Sequence, residues 1–414
     1  MSTLTRPTWT PWRAVVGFGL VSLSADMVYE GARSITGPLL ASLGASALLV
    51  GLVTGAGEGL ALVLRVVAGP LADRSGRYWS ITLVGYALTA VCVPLLAVTP
   101  FLGAAGLVVA CALILAERTG KAVRSPAKTA LLAEAAGQVG HGRGFAVHKA
   151  LDQVGAFAGP LLVAGVLALT STLWPGLALL AVPGAAAIVL LLWIRARFPD
   201  TPDRPAPSGA PGTAALTDPS APTGITVPRE PLPRVFYLFA AAAGAASAGL
   251  VTFGVISFHL TEAHLVPVAA VPLVYAAGMA AEAPAALATG YLYDRWGAKV
   301  LLVLPFLVAT VPALAFGSSA LTVVAGVLVW GAAYGLQDST VKALVADLVP
   351  RARRATAYGV FASIQGAAAV VGGVLAGALY HRVPLLVLAV ATTQVVALVL
   401  LVATLRHRSR EAGH

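Results

Sequence analysis

Apolar runs of about 20 residues are what a helix needs to cross a hydrocarbon core of about 30 Å. This chain has twelve, near 13–40, 45–71, 79–98, 103–135, 144–168, 173–194, 235–260, 265–290, 300–316, 320–348, 356–380 and 384–405. A soluble domain of ordinary usage is excluded, because 58% of the residues are hydrophobic and 11% charged, with a mean hydropathy of +0.87. The runs lack the period-two alternation of barrel strands, so their backbone groups must be satisfied within helices. The first run begins near Trp12 and carries charge within it, unlike the short uninterrupted core of a cleavable signal peptide. The expectation is an all-α membrane protein of twelve transmembrane helices.

Charged residues sit inside only some of the runs. Asp26, Glu30 and Arg33 lie in the first, Glu58 and Arg65 in the second, and Glu117, Lys121 and Arg124 in the fourth. Asp152 lies in the fifth, Glu282 in the eighth, and Asp338 and Lys342 in the tenth, while the third, sixth, ninth and twelfth carry none. A charge at the bilayer centre costs about 2.5–3.5 kcal/mol on insertion scales, so such residues face a protein interior or a watery cavity. The spacings i, i+4, i+7 of Asp26, Glu30, Arg33 and of Glu117, Lys121, Arg124 put each set on one helix face. Glu58 and Arg65, seven apart, and Asp338 and Lys342, four apart, do the same. Two uses fit this pattern: acids and bases lining a transport pathway that exchange partners or protons, or a fixed salt-bridge network within the first half.

Lys and Arg outside the runs gather on one side, from Arg6 and Arg13 through Arg74, Arg77, Arg195 and Arg354 to Arg410, with Arg382 alone opposite. The excess of positive charge marks cytoplasmic loops, so both termini are expected in the cytoplasm. The net charge of +10 then reads as an orientation signal and contact with anionic lipid heads, with no need of a nucleic-acid partner. Arg outnumbers Lys 22 to 5 and Ala and Gly are heavily used, as in a GC-rich bacterial genome, which points to the inner (plasma) membrane.

Between the sixth and seventh runs the chain turns to Pro, Gly, Ser, Thr and Asp, a composition that cannot bury enough apolar surface to fold alone. This predicts a first six-helix unit over 1–196, a flexible linker over 197–233 and a second six-helix unit over 234–414. The two halves echo each other. Gly69-Pro-Leu-Ala-Asp73-Arg74-Ser-Gly76-Arg77 recurs as Gly290-Tyr-Leu-Tyr-Asp294-Arg295-Trp-Gly297-Ala-Lys299, and Ala130-Leu-Leu-Ala-Glu134 recurs as Ala343-Leu-Val-Ala-Asp347, which carries Gly159 onto Gly372. Both copies keep the same sidedness, so the repeat is parallel.

On these residues the chain resembles the major facilitator superfamily over nearly its whole length. The family's loop signature G-x-L-A-D-R/K-x-G-R/K-R/K is matched from Gly69 to Arg77, with Tyr78 where a further basic residue is usual. The resemblance implies two pseudo-symmetric six-helix bundles rocking about a central site. It also implies that Asp73 caps the helix starting near Thr356 and Asp294 the helix starting near Gly144, helix-dipole contacts that hold one state. Gly69 and Gly76 would permit close approach and a tight turn, while Arg74, Arg77 and Arg295 pair with acids or lipid phosphates. A topogenic basic loop is the simpler alternative.

In the fifth run, Gly155, Gly159 and Pro160 resemble part of the superfamily's antiporter signature, with Ala146 in place of a preceding Gly and Val163 and Ala164 in place of a final Gly pair. Small-residue packing against a neighbouring helix explains the same residues. His148 and His259 lie near helix ends, a common interfacial place for histidine. No phosphate loop occurs, since Leu115 stands where Gly120-Lys121 would require its first glycine. No H-E-x-x-H or Cys/His cluster appears, and Cys92 and Cys111 fall in apolar runs, so neither cofactor nor metal is expected.

The reading is a monomeric, non-enzymatic secondary transporter for a small molecule, coupled to protons and directed to export of a drug-like or metabolite substrate. A proton-coupled importer of a small organic ion is the alternative within the class. A receptor, scaffold or membrane enzyme is the alternative outside it.

Overall fold

The computed structural model describes residues 10–137, 139–197, 231–350 and 353–411. The first half runs α1 (Pro11–Ser34), α2 (Thr36–Ser42), α3 (Ala47–Ser75), α4 (Tyr78–Leu95), α5 (Gly106–Gly137), α6 (His141–Thr170), α7 (Leu173–Leu179) and α8 (Ala181–Arg197). The second half runs α9 (Arg234–Gly249), α10 (Phe253–Glu262), α11 (Val271–Trp296), α12 (Leu304–Ala315), α13 (Ala320–Leu348), α14 (Arg354–Ala378) and α15 (Val383–Glu411). No strand occurs among the described residues. Eleven helical stretches are long and apolar enough to cross a membrane, and one of them, Val268–Ala315, has 48 residues, which is two crossings. Gly297, at φ +64°, divides that stretch between α11 and α12. The sum is the expected twelve. Most of the expected linker falls outside the described residues.

Three crossings expected to be single helices are broken. The first divides at Ile35, because Pro38 has no N–H to give and its ring crowds the carbonyl one turn back. Hydroxyls complete the join: Ser34 donates to the Gly31 carbonyl at 2.6 Å and Thr36 to that of Ala32 at 3.0 Å. The sixth divides at Leu180. The seventh unwinds over Leu250–Thr252, where Leu250 (ψ 93°) and Thr252 (ψ 145°) are extended. The first and seventh crossings are equivalent members of the two halves, so both halves break the same helix.

With twelve crossings, both ends of the described chain lie on one side, called here the terminal end; the opposite side is the far end. Within the first half α1 packs on α6 and α8, and α4 on α5 and α8; within the second α11 packs on α13, and α9 on α14 and α15. The repeat holds at atomic detail. A Cβ at Gly159 of α6 would strike the Met27 carbonyl of α1, and one at its echo Gly372 of α14 would meet the Ala248 carbonyl of α9 at 2.5 Å. Glycine lets both pairs of backbones touch, the usual device for helix pairs that gain no hydrophobic drive from lipid.

Several contacts join the halves, among them α6 on α11 and the three that follow. Helix α3 runs along α14 as a seam of small residues, in which Gly51, Gly55 and Gly59 meet Gly373, Ala369 and Gly366. At the far end α2 crosses α10, where Gly37 lies against the Gly254 carbonyl and Ser257, and Thr54 Oγ1 meets Thr252 Oγ1 at 2.8 Å. Also at the far end, α6 touches the 3-10 turn Val268–Ala270 that leads into α11. Large apolar side chains such as Leu169 and Leu321, 88% and 81% exposed, cover the outside and suit it to lipid.

Candidate functional site

A cavity of about 460 Å³ lies between the halves. Its blind side is the far end, where Leu250, Val251 and Thr252 of the unwound segment form part of the wall. Toward the terminal end it reaches Lys149, whose side chain is 63% exposed. Of the residues expected in a pathway, Asp26, Glu30, Arg33, Glu58, Arg65, Lys121, Arg124, Asp152, Glu282 and Asp338 all line it. Glu117 does not. It is 4% exposed behind the wall, so grouping it with Lys121 and Arg124 on one wheel face was insufficient to make it a cavity residue. The side chain of Lys342 lies outside the described residues.

At the far side of the cavity the charges form a closed network. Arg33 Nη2 bonds Glu58 Oε1 at 2.8 Å and Arg33 Nη1 reaches Glu30 Oε2 at 3.7 Å. Arg118 Nη1 shares Glu58 at 3.5 Å, its Nε lies 3.7 Å from Glu117, and it donates to the Tyr29 hydroxyl. Glu58 therefore pairs with Arg33 and Arg118, whereas the expected alternative partner Arg65 makes no ion pair with it. Removing one partner from such a buried set leaves an uncompensated charge, a change that costs about 3–5 kcal/mol.

The second half enters this network through tyrosines. Tyr275 of α11 donates its hydroxyl to Glu30, and the Tyr334 ring of α13 lies 6.0 Å from the Arg33 guanidinium. Tyr275 is fully buried and held by Phe253, with ring centroids 4.5 Å apart. Trp330 fixes the unwound segment by donating to the Val251 carbonyl at 2.8 Å. That bond meets an acceptor left over by the break in the helix.

On α5 the cations stand differently. Lys121 Nζ sits 3.2 Å from the Tyr29 ring centroid, and the Arg124 guanidinium 4.5 Å from that of Tyr86. Arg124 also donates to Thr89, which passes a hydrogen bond to Glu117 at 3.2 Å. Lys128 donates to Ser22 Oγ at 3.0 Å, and Ser22 contacts His148 Nε2 at 3.0 Å. Near them Asp26 of α1 and Asp152 of α6 both line the cavity, with Lys149 2.9 Å from Asp152.

Gly155 and Gly159 press α6 onto the α1 backbone at Leu23 and Met27, on either side of Asp26. The packing explanation of these glycines is thus fulfilled, and the same packing seats α6 beside Asp26 of α1. His259 is bonded at both ring nitrogens, to Tyr380 Oη and the Gly317 carbonyl, each at 3.0 Å, and ties the far end of the second half together.

The signature loops lie at the terminal end. Gly76 caps α3 at φ +64° and Gly297 caps α11 at φ +64°, the left-handed turns that glycine tolerates. A Cβ at Gly69 would come no nearer than 3.9 Å to Pro126, so close approach there needs no glycine. Among the described residues the contacts expected of the acids are not made in this conformation. Asp73 accepts from the Tyr78 hydroxyl at 2.9 Å, within its own loop. Asp294 makes no hydrogen bond or ion pair among the described residues. The residue that departs from the loop signature is therefore the one that engages its aspartate.

Arg118, Lys128 and Lys149 were open to the argument that intramembrane charge is costly, but Arg118 falls about 100° around the helix from Glu117 and outside the faces grouped by spacing. Tyr29, Tyr275 and Tyr334 carry no such signal. Aromatic residues in apolar runs are ordinary, and their roles arise only from the meeting of two halves.

A family model described as Major Facilitator Superfamily matches residues 18–309 and 238–414. An uncharacterized protein of Mycobacterium tuberculosis is 53% identical over 401 residues, covering 96% of this chain and 94% of that one. An uncharacterized MFS-type transporter of Methanocaldococcus jannaschii is 24% identical over 375 residues, 88% of each chain. Among solved structures, an aspartate-to-alanine mutant of the nucleoside transporter NupG superposes with a TM-score of 0.73 at 13% identity, covering 94% of this chain and 99% of that one. A POT family transporter in complex with 5-aminolevulinic acid gives 0.72 at 13% identity, covering 95% of each. The chain belongs to the major facilitator superfamily.

Proposed function

We propose that this protein is a proton-coupled secondary transporter that exports a small organic molecule across the plasma membrane by alternating access. The observation that carries the reading is the bond from Tyr275 to Glu30 across the blind end of the cavity. Opening the far end must pull α11 away from α1 and take this donor from Glu30. The carboxylate then keeps only Arg33 at 3.7 Å, and Arg33 is already engaged with Glu58 at 2.8 Å. A poorly compensated carboxylate in the membrane interior takes up a proton or finds a new cation. Proton occupancy and the state of the gate are thereby linked, as a coupled carrier requires.

Asp26 and Asp152, which line the same cavity, are the next candidates for proton uptake. Export is supported by the antiporter-like Gly155, Gly159 and Pro160, which seat α6 on α1 beside that pair. In this reading the terminal end faces the cytoplasm and the transporter acts as a monomer. The signature loops, with Asp73, Arg74, Arg77, Asp294 and Arg295, gate it in the opposite state.

Reconstitution in proteoliposomes tests the proposal. At least one of Asp26→Asn, Glu30→Gln and Glu58→Gln is expected to lose accumulation driven by a proton gradient while keeping gradient-free substrate exchange. Neutralisation removes the titratable group but preserves its size, which separates coupling from folding. Unchanged gradient-driven transport in all three variants would refute the assignment of coupling to these carboxyls, and proton flow parallel to substrate would replace export by import.

A further inference from the structure

The two walls of the cavity differ in charge balance: among the described residues the first half lines it with bases in excess of the acids Asp26, Glu30, Glu58 and Asp152, the second half with acids alone. Among the described residues, every basic side chain that lines it, Arg33, Arg65, Lys121, Arg124, Lys128 and Lys149, comes from the first half. The charged lining residues of the second half are Glu282 and Asp338, both acids, set among Trp330, Tyr334, Phe361 and two glutamines.

Partners sharpen the difference. Arg33 is paired with Glu30 and Glu58, and Lys149 with Asp152. Arg65, Lys121, Arg124 and Lys128 have no carboxylate within ion-pair distance among the described residues. Lys121, Arg124 and Lys128 rest on aromatic rings and hydroxyls, and the buried Nε of Arg65 has no hydrogen-bond partner among the described residues. Rings and hydroxyls hold a cation but do not neutralise it. On the facing wall Glu282 of α11 likewise makes no ion pair among the described residues. Like charges gathered in a confined space repel, and the arrangement is relieved by an occupant bearing the opposite charge at each wall.

We infer that the cavity selects a dipolar organic molecule, with an anionic carboxylate, phosphate or sulfonate taken by the unpaired cations of α3 and α5 and an ammonium group taken by Glu282. The inference rests on the cavity being the substrate site of the proposed transporter. It adds orientation: the molecule bridges the two halves, so its two ends report on two different walls. A monoanion leaves Glu282 uncompensated, and a monocation leaves the α5 cations unserved and is repelled by them. An arginine fork favours bidentate oxyanions, and the lysines tolerate variation in the acid.

Ligand-induced thermal stabilisation of the purified full-length protein tests this without any transport assay. The probes are ω-aminoalkanoates of increasing chain length, each compared with the alkanoate and the alkylamine of the same length at millimolar concentration. At the best length the zwitterion is expected to bind about tenfold or more tightly than either partner, the size of one lost charged contact. In Glu282→Gln the zwitterion falls to the level of the alkanoate, and in Lys121→Gln to that of the alkylamine, while Lys121→Arg restores the preference. Alkanoate or alkylamine binding as tightly as the zwitterion, absence of binding by the whole series, or equal losses for all probes in both variants would overturn the inference. Selective binding without proton-driven transport would leave the inference standing and sink the transport reading instead.

Discussion

The two ends of the molecule are held together by different means. At the far end the halves meet backbone to backbone, Gly37 against Gly254, and are tied by Thr54 to Thr252 and by Tyr275 to Glu30. At the terminal end, apart from the α3–α14 seam, the repeated loops keep to their own halves: Asp73 bonds its neighbour Tyr78, and Asp294 bonds nothing among the described residues. One end is locked across the interface and the other is poised within each half. The lesson is that the gate at the far end is built from packing and a buried charged bond, both costly to break, whereas the gate at the terminal end is built from exposed polar groups that exchange partners cheaply.

Substitutions at the two ends should therefore differ in size. Gly37→Leu should have the largest effect, because even a Cβ at this position collides with the Gly254 carbonyl and Ser257 Oγ. Overpacking costs about 1–3 kcal/mol or more, and here the cost falls only on the state with the far end closed. A population loss of up to about 150-fold follows, read as persistent labelling of a far-end cysteine such as one at Thr36, buried in this state, and as loss of transport. Labelling like that of the parent protein would show that the far end is not closed by this contact.

Tyr275→Phe removes the cross-half bond while leaving the ring against Phe253. Loss of a hydrogen bond to a charged group costs about 1.5–3 kcal/mol, so the far-end-open population should rise by about tenfold or more, measured by the same cysteine. If labelling is unchanged, Glu30 does not sense the gate. The thermal stability of this variant separates the gate from a general packing defect.

Asp73→Asn should slow transport with near-normal expression, by no more than about fivefold, because the group is exposed and exchanges one weak partner for another. Tyr78→Phe should act in the opposite sense, freeing the Asp73 carboxylate for the start of α14. Asp294→Asn is expected to have the smallest effect of the set. Initial transport rates rank the three, and a larger loss in Asp294→Asn than in Asp73→Asn would invert the ordering drawn here.

Much of this design was legible in the residues. Run length gave the helix count, the echo of Gly69–Arg77 gave the two halves, and the cost of burying Asp26, Glu30, Arg33 and Glu58 gave the cavity. The break at Ile35 was also open to reading, since Pro38 announces it. The unwinding at Leu250–Thr252 was not, because no proline stands there and the segment is held open by tertiary contacts from Trp330 and Thr54. The choice of Arg118 over Arg65 as partner of Glu58 depends on which helix lies opposite, and no spacing along α3 contains that information. The placing of Asp26 and Asp152 on one cavity wall likewise depends on Gly155 and Gly159 letting α6 settle on α1. Where pattern within one helix decides a feature, sequence suffices; where two helices decide it, the fold is needed.

The central claim, that the halves rock about the cavity so that one end opens as the other closes, is tested most directly by paired spin-label distances in liposomes. One pair, Ser42 with Ala263, spans the far end, and the other, Arg143 with Arg295, spans the terminal end; the wild-type residues there are exposed. When the proton gradient is imposed or reversed, the account predicts two populations whose distances change in opposite directions, one lengthening as the other shortens. Distances that stay fixed at both ends, or that lengthen and shorten together, would contradict it.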